Sequence, residues 1–253
     1  MHQLNLFRRG GARRGAGRKP KGAKALASHA RRDALAARHP VLVTTRLRAC
    51  LPDLRRKREF EVVLEAFAGS IADEPQHGFR LVHFSVQTNH LHILVEARDT
   101  RSLTRGMRGL LVRMARGLNR LWRRKGQVIA DRYDARALRS PREVRNALSY
   151  LLNNARKHGC LFASIDPFTS GRVFDGWTWS SGSTTPNALE AVAAHGLPVL
   201  APRTWLLACG WRRHGLIDPA EIPGSVVRVR RTSVARLGTL DMTALRRAAR
   251  SAP

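Results

Sequence analysis

The sequence predicts an α+β fold: a ferredoxin-like sandwich of βαββαβ order on an antiparallel sheet, followed by one further helix and a basic, aromatic C-terminal extension. Two short apolar runs meet at a polar turn, residues 87–89, as they do in a strand hairpin. Residues 53–71 and 102–125 repeat apolar side chains every three or four positions, which is typical of amphipathic helices. Strand-like segments at 41–47 and 127–138 complete the order of strand, helix, strand, strand, helix and strand.

The first strand and the first long helix follow a basic start. Residues 8–24 have almost no apolar side chains, so we expect residues 1–24 to form a flexible arm that orders only on phosphate. Residues 25–38 predict a short helix. The segment 41–47 is rich in β-branched residues and is bounded by prolines, which indicates a strand. The helix over 53–71 carries an apolar stripe of Leu54, Phe60, Val63, Leu64, Phe67 and Ile71.

A strand hairpin and a second long helix come next. The apolar runs at 78–87 and 90–97 predict the two paired strands. The helix over 102–125 has one apolar stripe, and its other side carries arginines with almost no glutamate between them. These arginines can follow a phosphate backbone, although a solvated basic face is the simpler alternative.

The last predicted helix begins at a capping box. Ser140 and Glu143 have the spacing of that motif, and Pro141 occupies the first helical position. The helix is predicted to run to about residue 158, where Gly159 ends it.

The remaining residues, 160–253, differ in character. They show little regular periodicity and hold four of the five tryptophans. We expect a basic extension with short helices near 187–195, 202–213 and 242–250. Two interpretations stay open: its aromatic and basic side chains contact unpaired bases, or the tryptophans attach a small lobe to the core. The residues concerned are Arg203, Trp205, Trp211, Arg212, Arg213 and His214. The predicted organisation is therefore an arm at 1–24, a catalytic domain at 25–159 and an extension at 160–253.

The charge balance points to nucleic acid. The formal net charge is +28, mostly from arginine and spread from end to end. Such an excess repels itself unless an anionic partner is near, although a merely solubilising or ribosome-like basic surface also fits. The residues predicted to bind DNA are Arg18 and Lys19 of the arm and Arg105, Arg108, Arg113, Arg116 and Arg120 of the long helix.

Composition also bounds the compartment. The sequence has no run of about 18 apolar residues, so we expect no membrane partner and a cytoplasmic, nucleoid-associated protein. Its three cysteines lie far apart, without a paired spacing, which argues against a disulfide framework and a structural zinc site.

Two histidines open the second hairpin strand. Alternate residues of a strand share a face, so His90 and His92 project from one face, about 6 to 7 Å apart at Cα. Leu91 and Ile93 point to the other face, where a core belongs. The pair can hold a metal ion, and a working site needs at least a third ligand.

The last helix offers the complementary groups. Tyr150 and Asn154 stand four residues apart, about a third of a turn from the apolar stripe, so they are expected to stack on one helix face. A phenol and an amide beside two histidines provide a nucleophile and a further metal ligand. Tyr133, the other tyrosine, is explained by strand packing, and His83 is a candidate helper for ionising the phenol.

These residues resemble a known family. His90-Leu91-His92 resembles the histidine-hydrophobe-histidine motif of the HUH single-strand endonucleases. Together with Tyr150-Leu151-Leu152-Asn153-Asn154 it is similar to the single-tyrosine transposases of the IS200-like family, those associated with repetitive extragenic palindromes (REP elements). The resemblance spans roughly residues 17–158.

The resemblance implies a reaction. It assigns Tyr150 as the nucleophile, with His90, His92 and Asn154 as ligands of Mg²⁺ or Mn²⁺. It implies cleavage of single-stranded DNA beside a hairpin through a 5′-phosphotyrosine intermediate, as in DNA transposition and recombination. It leaves open a monomer or a homodimer.

Three other functions remain as alternatives. An RNA-binding module can share this fold order, but it needs exposed aromatic rings on the sheet, for which Phe84 is the candidate. A DNA-binding regulator could keep the fold without cleaving. A hydrolytic metallonuclease would cleave without forming a protein–DNA bond.

Overall fold

The centre of the molecule is a four-stranded antiparallel sheet in the order β2-β3-β1-β4. The computed structural model describes residues 34–157, 165–178 and 196–224. The strands are β1 (Val41–Arg46), β2 (Phe79–Val86), β3 (His90–Ala97) and β4 (Asp134–Ala137). This order and the βαββαβ sequence of elements confirm the predicted ferredoxin-like sandwich.

Helices cover both faces of the sheet. They are α1 (Lys57–Ala72), α2 (Glu74–His77), α3 (Thr100–Leu121), α4 (Pro141–Leu152), α5 (Asn154–Lys157) and α6 (Trp205–Ala208), with 3₁₀ turns at Ser170–Val173 and Gly210–His214. Among the described residues, none of these helices combines the length and the apolar character needed to cross a bilayer.

The first face packs on α1 and α3. Val43 pairs with Ile93 across β1 and β3, and both side chains enter a core with Phe67 of α1 and Met107 of α3. All four are at most 1% exposed. Alternation along the strands therefore commits every second side chain to this core.

The second face packs on α4. Leu94 of β3 and Leu148 of α4 lie in a separate core with Trp177 and Trp211. A β-bulge between Leu81 and His83 adds one residue to β2. Two segments expected in the extension, 165–178 and 196–223, thus contribute core residues here, and every described residue except Gly224 belongs to one compact unit.

An ion pair and several hydrogen bonds hold these two segments to the sandwich. Arg55 makes a two-pronged pair with Asp166, at 2.8 and 2.9 Å, and also donates to the Val86 carbonyl. The Glu96 carboxylate of β3 accepts hydrogen bonds from the backbone N–H groups of Arg203 and Thr204. The backbone of both segments also bonds to β2, through Phe168 to Val86 and through Leu200 to Leu81, so they cover its outer edge.

Several predicted boundaries were wrong. The helix expected over 25–38 is absent from residues 34–38, which form a turn ahead of Pro40, and residues 25–33 lie outside the described chain. A proline disfavours helical backbone geometry in the residue before it. The Leu35 N–H donates to the Thr100 hydroxyl rather than to a helix carbonyl. The first long helix starts at Lys57, because the Asp53 carboxylate accepts the Arg55 N–H in a tight turn.

The fourth strand is shorter than expected. The prediction was 127–138, but β4 covers only Asp134–Ala137, and Ile129 makes a separate bridge with Leu47. Between these two pairings the chain leaves the sheet edge. Tyr133 lies just before β4 rather than in a strand, and its ring packs in the first core, so core packing accounts for this tyrosine. The helices expected near 187–195 and 242–250 lie outside the described residues, whereas 202–213 contains α6 and a 3₁₀ turn.

Candidate active site

The strand register sets the position of the two histidines. In the β1–β3 pair, Thr44 lies opposite His92 and Arg46 lies opposite His90. All four side chains belong to the face that α4 covers, the face opposite to α1 and α3. The predicted same-face arrangement of the histidines is present, with ring centroids 4.8 Å apart.

His92 lies between a threonine and the tyrosine. Its Nδ1 is 3.0 Å from Thr44 Oγ1, and its Nε2 is 3.3 Å from the Tyr150 hydroxyl. The imidazole is 4% exposed, and the tyrosine ring stands edge-on to it, with centroids 5.0 Å apart. Tyr150 and His92 are therefore in direct contact, although 58 residues separate them in the chain.

His90 has one ring nitrogen engaged by its neighbour. Its Nδ1 is 3.0 Å from Asn89 Oδ1, a carbonyl oxygen that only accepts. With its proton on Nδ1, His90 donates to Asn89 and has Nε2 available as a metal ligand. With its proton on Nδ1, His92 donates to Thr44 in the same way. A histidine that binds a metal commonly donates its other N–H to such a partner, so both rings have the Nδ1 partner that metal binding needs.

The tyrosine hydroxyl is in a partly buried setting. Burial raises the pKa of Tyr150, and the positive charge of Arg46 acts in the opposite direction. Arg46 is exposed and lies opposite His90 in the strand register. Any reaction of the phenolate therefore benefits from the Arg46 charge.

Helix α4 is fixed at its start by the predicted capping box. The Ser140 hydroxyl accepts from the Glu143 N–H at 3.3 Å, and the Glu143 carboxylate accepts from the Ser140 N–H at 3.2 Å. Pro141 is in the first turn. The capping box predicted from the sequence is confirmed.

A clasp ties the solvent side of α4 to residues 216–221. Arg145 makes a two-pronged pair with Glu221, at 2.5 and 2.7 Å, and the Ser149 hydroxyl donates to the same carboxylate at 2.7 Å. Burial acts to raise the pKa of Glu221, but the hydrogen bonds from Arg145 and Ser149 outweigh it and hold that pKa below its usual value. The clasp holds the helix that carries Tyr150.

The helix does not continue to residue 158 as predicted. Helix α4 ends at Leu152, Asn153 leaves helical geometry at φ −105° and ψ 13°, and α5 starts at Asn154. The side chain of Asn153 donates to the Asp218 carbonyl at 2.9 Å, which ties the chain at this break to a residue 65 positions away. Tyr150 and Asn154 are therefore not stacked on one continuous helix.

Asn154 is nevertheless unusual. It is 0% exposed, and neither Oδ1 nor Nδ2 has a hydrogen-bond partner among the described residues. A buried amide without partners is rare and costs free energy. Imidazole nitrogen and amide oxygen are both donor types that divalent ions accept, so by its chemistry Asn154 stays a predicted ligand together with the two histidines. The described residues contain no cluster of three or more His, Cys, Asp and Glu side chains that could form another metal site.

The predicted DNA-binding arginines lie away from the tyrosine. Helix α3 packs on the opposite face of the sheet, so its arginines and the Tyr150 hydroxyl are on different sides of the sandwich. Four of them are exposed, and Arg113 is paired with Asp73. The four exposed residues are Arg105, Arg108, Arg116 and Arg120. Arg18 and Lys19 lie outside the described residues.

His83, the candidate helper, is in the core. Its Nδ1 is 3.1 Å from the Ser170 hydroxyl, and its ring stands edge-on to Phe174. Burial lowers its pKa to about 4, so the imidazole is neutral near pH 7.

His83 therefore predicts an acid-sensitive stability. Unfolded histidine has a pKa near 6.5 and binds the proton more tightly than the folded state does, so stability is lost as pH falls from about 6.5 towards 4. Urea unfolding at pH 5 and pH 8 should differ by about 2 kcal/mol from this residue. The His83→Gln variant should lose that part of the pH dependence, and an unchanged pH profile would contradict the assignment.

Most of the aromatic residues that the alternative functions would use to stack on bases are buried. Phe84 is 0% exposed and packs against Phe67, so it cannot stack on a base as the RNA-binding alternative requires. Trp177 and Trp211 are core residues, as expected if they attach the C-terminal segments to the sandwich. Trp205 is 49% exposed, with Arg213 over its ring at 4.8 Å.

No protein-family model matches the chain, and no curated protein matches it. Among solved structures it is similar to a REP-associated tyrosine transposase bound to a REP hairpin, with 15% identity and a TM-score of 0.46 over 70% of this chain and 93% of that one. It is also similar to a candidate transposase from Deinococcus radiodurans R1, with 12% identity and a TM-score of 0.33 over 46% of this chain and 87% of that one. The resemblance predicted from the sequence is confirmed as a similarity, not as family membership, and both scores are too low for function to follow from them.

Thr44, Arg46 and Asn89 are site residues that sequence reasoning missed. Asn89 precedes His90 directly, so the N-H-L-H run contained the signal for it. Thr44 and Arg46 alternate along β1 on the polar side, but only the pairing register places them beside the histidines.

Proposed function

We propose that the chain is a metal-dependent single-stranded DNA endonuclease and strand transferase of the transposase type, with Tyr150 as its nucleophile. The observation that carries the proposal is the contact of the Tyr150 hydroxyl with His92 Nε2 at 3.3 Å, with His90 on the same face. A phenol is rarely placed against a histidine pair for packing alone, and Tyr150 lies outside the apolar stripe of its helix.

The chemistry follows from the groups present. The Tyr150 oxygen forms a bond to phosphorus, the bond from phosphorus to the 3′ oxygen breaks, and the products are a 5′-phosphotyrosine and a 3′-hydroxyl. The phenol gives up its proton, and the leaving 3′ oxygen takes one up. Attack by a 3′-hydroxyl on the phosphotyrosine reverses these bonds and joins strands. Arg46 lies where its charge favours both the phenolate and the phosphate.

A divalent ion, Mg²⁺ or Mn²⁺, held by His90, His92 and the Asn154 amide would polarise the scissile phosphate. The ligand assignment is supported by the partners that Thr44 and Asn89 offer to the two Nδ1 atoms, and by the buried Asn154 amide, which has no partner among the described residues. Thr44 would fix the orientation of the His92 ring through the hydrogen bond at its Nδ1, and Asn89 would do the same for the His90 ring.

The test is formation of a covalent protein–DNA adduct. A hairpin oligonucleotide with single-stranded flanks, labelled at its 3′ end, is incubated with protein and Mn²⁺ and run on a denaturing gel. We expect label at the protein's mobility, together with a released fragment whose 3′-hydroxyl a polymerase extends. Chelation should remove both products.

The alternatives give different products in the same assay. A hydrolytic metallonuclease releases a free 5′-phosphate and leaves no label on the protein. A binding protein without activity shifts the oligonucleotide on a native gel, with or without chelator, and cleaves nothing. Either result would refute the proposal.

A further inference from the structure

One side of the histidine face is closed. Ser85 of β2 lies opposite His92 in the strand register, and it is 0% exposed. Thr169 forms a bridge with Ser85, and the Ser170 hydroxyl lies 3.1 Å from Nδ1 of the buried His83 on the same strand. The segment that carries Thr169 and Ser170 thus covers the β2 side of the histidine site.

The other side of this face is open. On β1 and β4 its residues are Thr44, Arg46, Asp134 and Arg136. The last three are exposed, and Thr44 is half-buried. Strand alternation fixes the direction of the β4 side chains, because Ala135 packs against the first core, on the opposite face. A substrate strand that reaches the tyrosine therefore crosses β1 and β4.

Asp134 stands in the same row of the sheet as His92. Thr44 lies between them, opposite His92 in one strand pair and opposite Asp134 in the other. Neighbouring strands are about 4.8 Å apart, so the Cα atoms of Asp134 and His92 are roughly 10 Å apart. Nucleotides of a stacked strand are about 3.4 Å apart, so this separation corresponds to about three nucleotides.

The Asp134 carboxylate makes no ion pair with a described residue. By contrast, two other carboxylates on this side of the sheet are engaged. Glu96 accepts from the backbone N–H groups of Arg203 and Thr204, and Glu221 accepts from the Arg145 guanidinium. Asp134 is therefore an exposed acceptor that the fold itself does not use.

A carboxylate is out of place on a surface that only follows phosphates, because the two anions repel each other. Arg136 lies beside Asp134 in one direction along the strands, and Arg46 lies in the other. These arginines can each take a phosphate, which leaves the edge of a base to face the carboxylate. Phosphate contacts position a strand, whereas contacts to base edges specify its sequence.

The chemistry of a carboxylate selects the base. Ionised aspartate only accepts hydrogen bonds, and an unpaired base presents its Watson–Crick edge. Guanine offers two neighbouring donors there, N1–H and the N2 amino group, which match the two carboxylate oxygens. Cytosine and adenine offer one amino group next to a ring acceptor, and thymine offers one N–H between two carbonyl oxygens. Guanine is therefore the best partner and thymine is the worst.

We propose that Asp134 determines base specificity: its carboxylate binds the Watson–Crick edge of an unpaired guanine that lies within about three nucleotides of the scissile phosphate. The inference rests on the proposed function in taking single-stranded DNA at the tyrosine face as the ligand. It does not require cleavage.

The test measures base preference in a Tyr150→Phe background, where cleavage does not interfere. The probe is a hairpin oligonucleotide with about six randomised unpaired nucleotides on each side of its stem, twice the separation expected for Asp134. Strands that the protein retains are sequenced. Asp134→Ala removes the acceptor, and Glu65→Ala is the matched control. Glu65 is exposed on α1, at the opposite face of the sheet, and its substitution changes the net charge equally.

We expect the Asp134-containing protein to enrich guanine at one flank position, and Asp134→Ala to lose that enrichment while the other positions keep theirs. In fluorescence anisotropy, thymine at that position should weaken binding about 10-fold. Inosine, which lacks only the N2 amino group, should give a smaller loss. In Asp134→Ala both replacements should change binding less than about 2-fold, and Glu65→Ala should behave like its parent.

Several results would overturn the proposal. They are a guanine preference that persists in Asp134→Ala, an absence of guanine preference in the parent, and an equal loss in Glu65→Ala. Tighter binding of all sequences by Asp134→Ala would also overturn it, because Asp134 would then only repel phosphate. A protein with Tyr150 that forms no adduct but selects guanine through Asp134 would refute cleavage and leave this inference standing. An adduct whose base preference is independent of Asp134 would do the reverse.

Discussion

Replacing Tyr150 by phenylalanine should abolish the covalent adduct, by roughly 10³-fold or more in rate, while hairpin binding stays within a factor of two. The substitution removes only the hydroxyl that contacts His92 Nε2, so the fold and the DNA surface are preserved. The measurement is a time course of label transfer on denaturing gels at saturating protein, with binding followed separately by anisotropy.

Tyr133→Phe is the matched control. Tyr133 is buried in the core between the sheet and helices α1 and α3, on the other side of the sheet from the histidines, so its variant should form adduct at the parent rate. An adduct that persists in Tyr150→Phe, or that disappears in Tyr133→Phe alone, would remove Tyr150 as the nucleophile. Because burial raises the Tyr150 pKa, the parent rate should increase with pH above neutrality, as the phenolate population grows.

Asn154→Leu should make the metal-free protein more stable and the enzyme inactive. The Asn154 amide is buried with neither polar atom partnered, so an apolar side chain of similar size removes a desolvation cost of about 1–3 kcal/mol. If the amide oxygen is a metal ligand, Mn²⁺ should raise the melting temperature of the parent and leave that of the variant unchanged. Urea unfolding with chelator and thermal melts with and without Mn²⁺ measure the two effects.

Asn153→Leu is the control for this substitution. Asn153 is also buried, but its amide donates to the Asp218 carbonyl, so the variant loses this hydrogen bond and should be destabilised by about 0.5–1.5 kcal/mol. Opposite signs for these two neighbours would support the ligand assignment. Destabilisation by Asn154→Leu, or a full Mn²⁺ response in that variant, would refute it.

Sequence patterns predicted the features that depend on interactions between residues close together in the chain. The alternation from His90 to Ala97 placed both histidines on the face opposite Leu91 and Ile93, and the Ser140-Pro141-Arg142-Glu143 run placed the start of the tyrosine helix. Both depend on interactions within a few residues. The order of elements then led to the sheet order, because few topologies connect βαββαβ without crossing.

The failures near the site involve partners distant in sequence. The end of α4 depends on a hydrogen bond from Asn153 to Asp218, 65 residues away, which no helical periodicity encodes. Thr44 acts on His92 through a strand register that is set by packing on both faces. The α3 arginines were predicted to bind DNA, and only the tertiary fold shows that their helix covers the face opposite the tyrosine.

The clasp of Arg145, Ser149 and Glu221 has a kinetic consequence. A tyrosine on a freely moving helix would have to find the histidines in every turnover, and each search would cost entropy at the barrier. The Arg145–Glu221 ion pair and the apolar contacts of Leu148 and Trp211 hold this helix in place in the folded chain. The Tyr150 hydroxyl is thus held against His92 of the same chain in the folded protein, which in the proposed reaction would remove that entropic cost from each turnover.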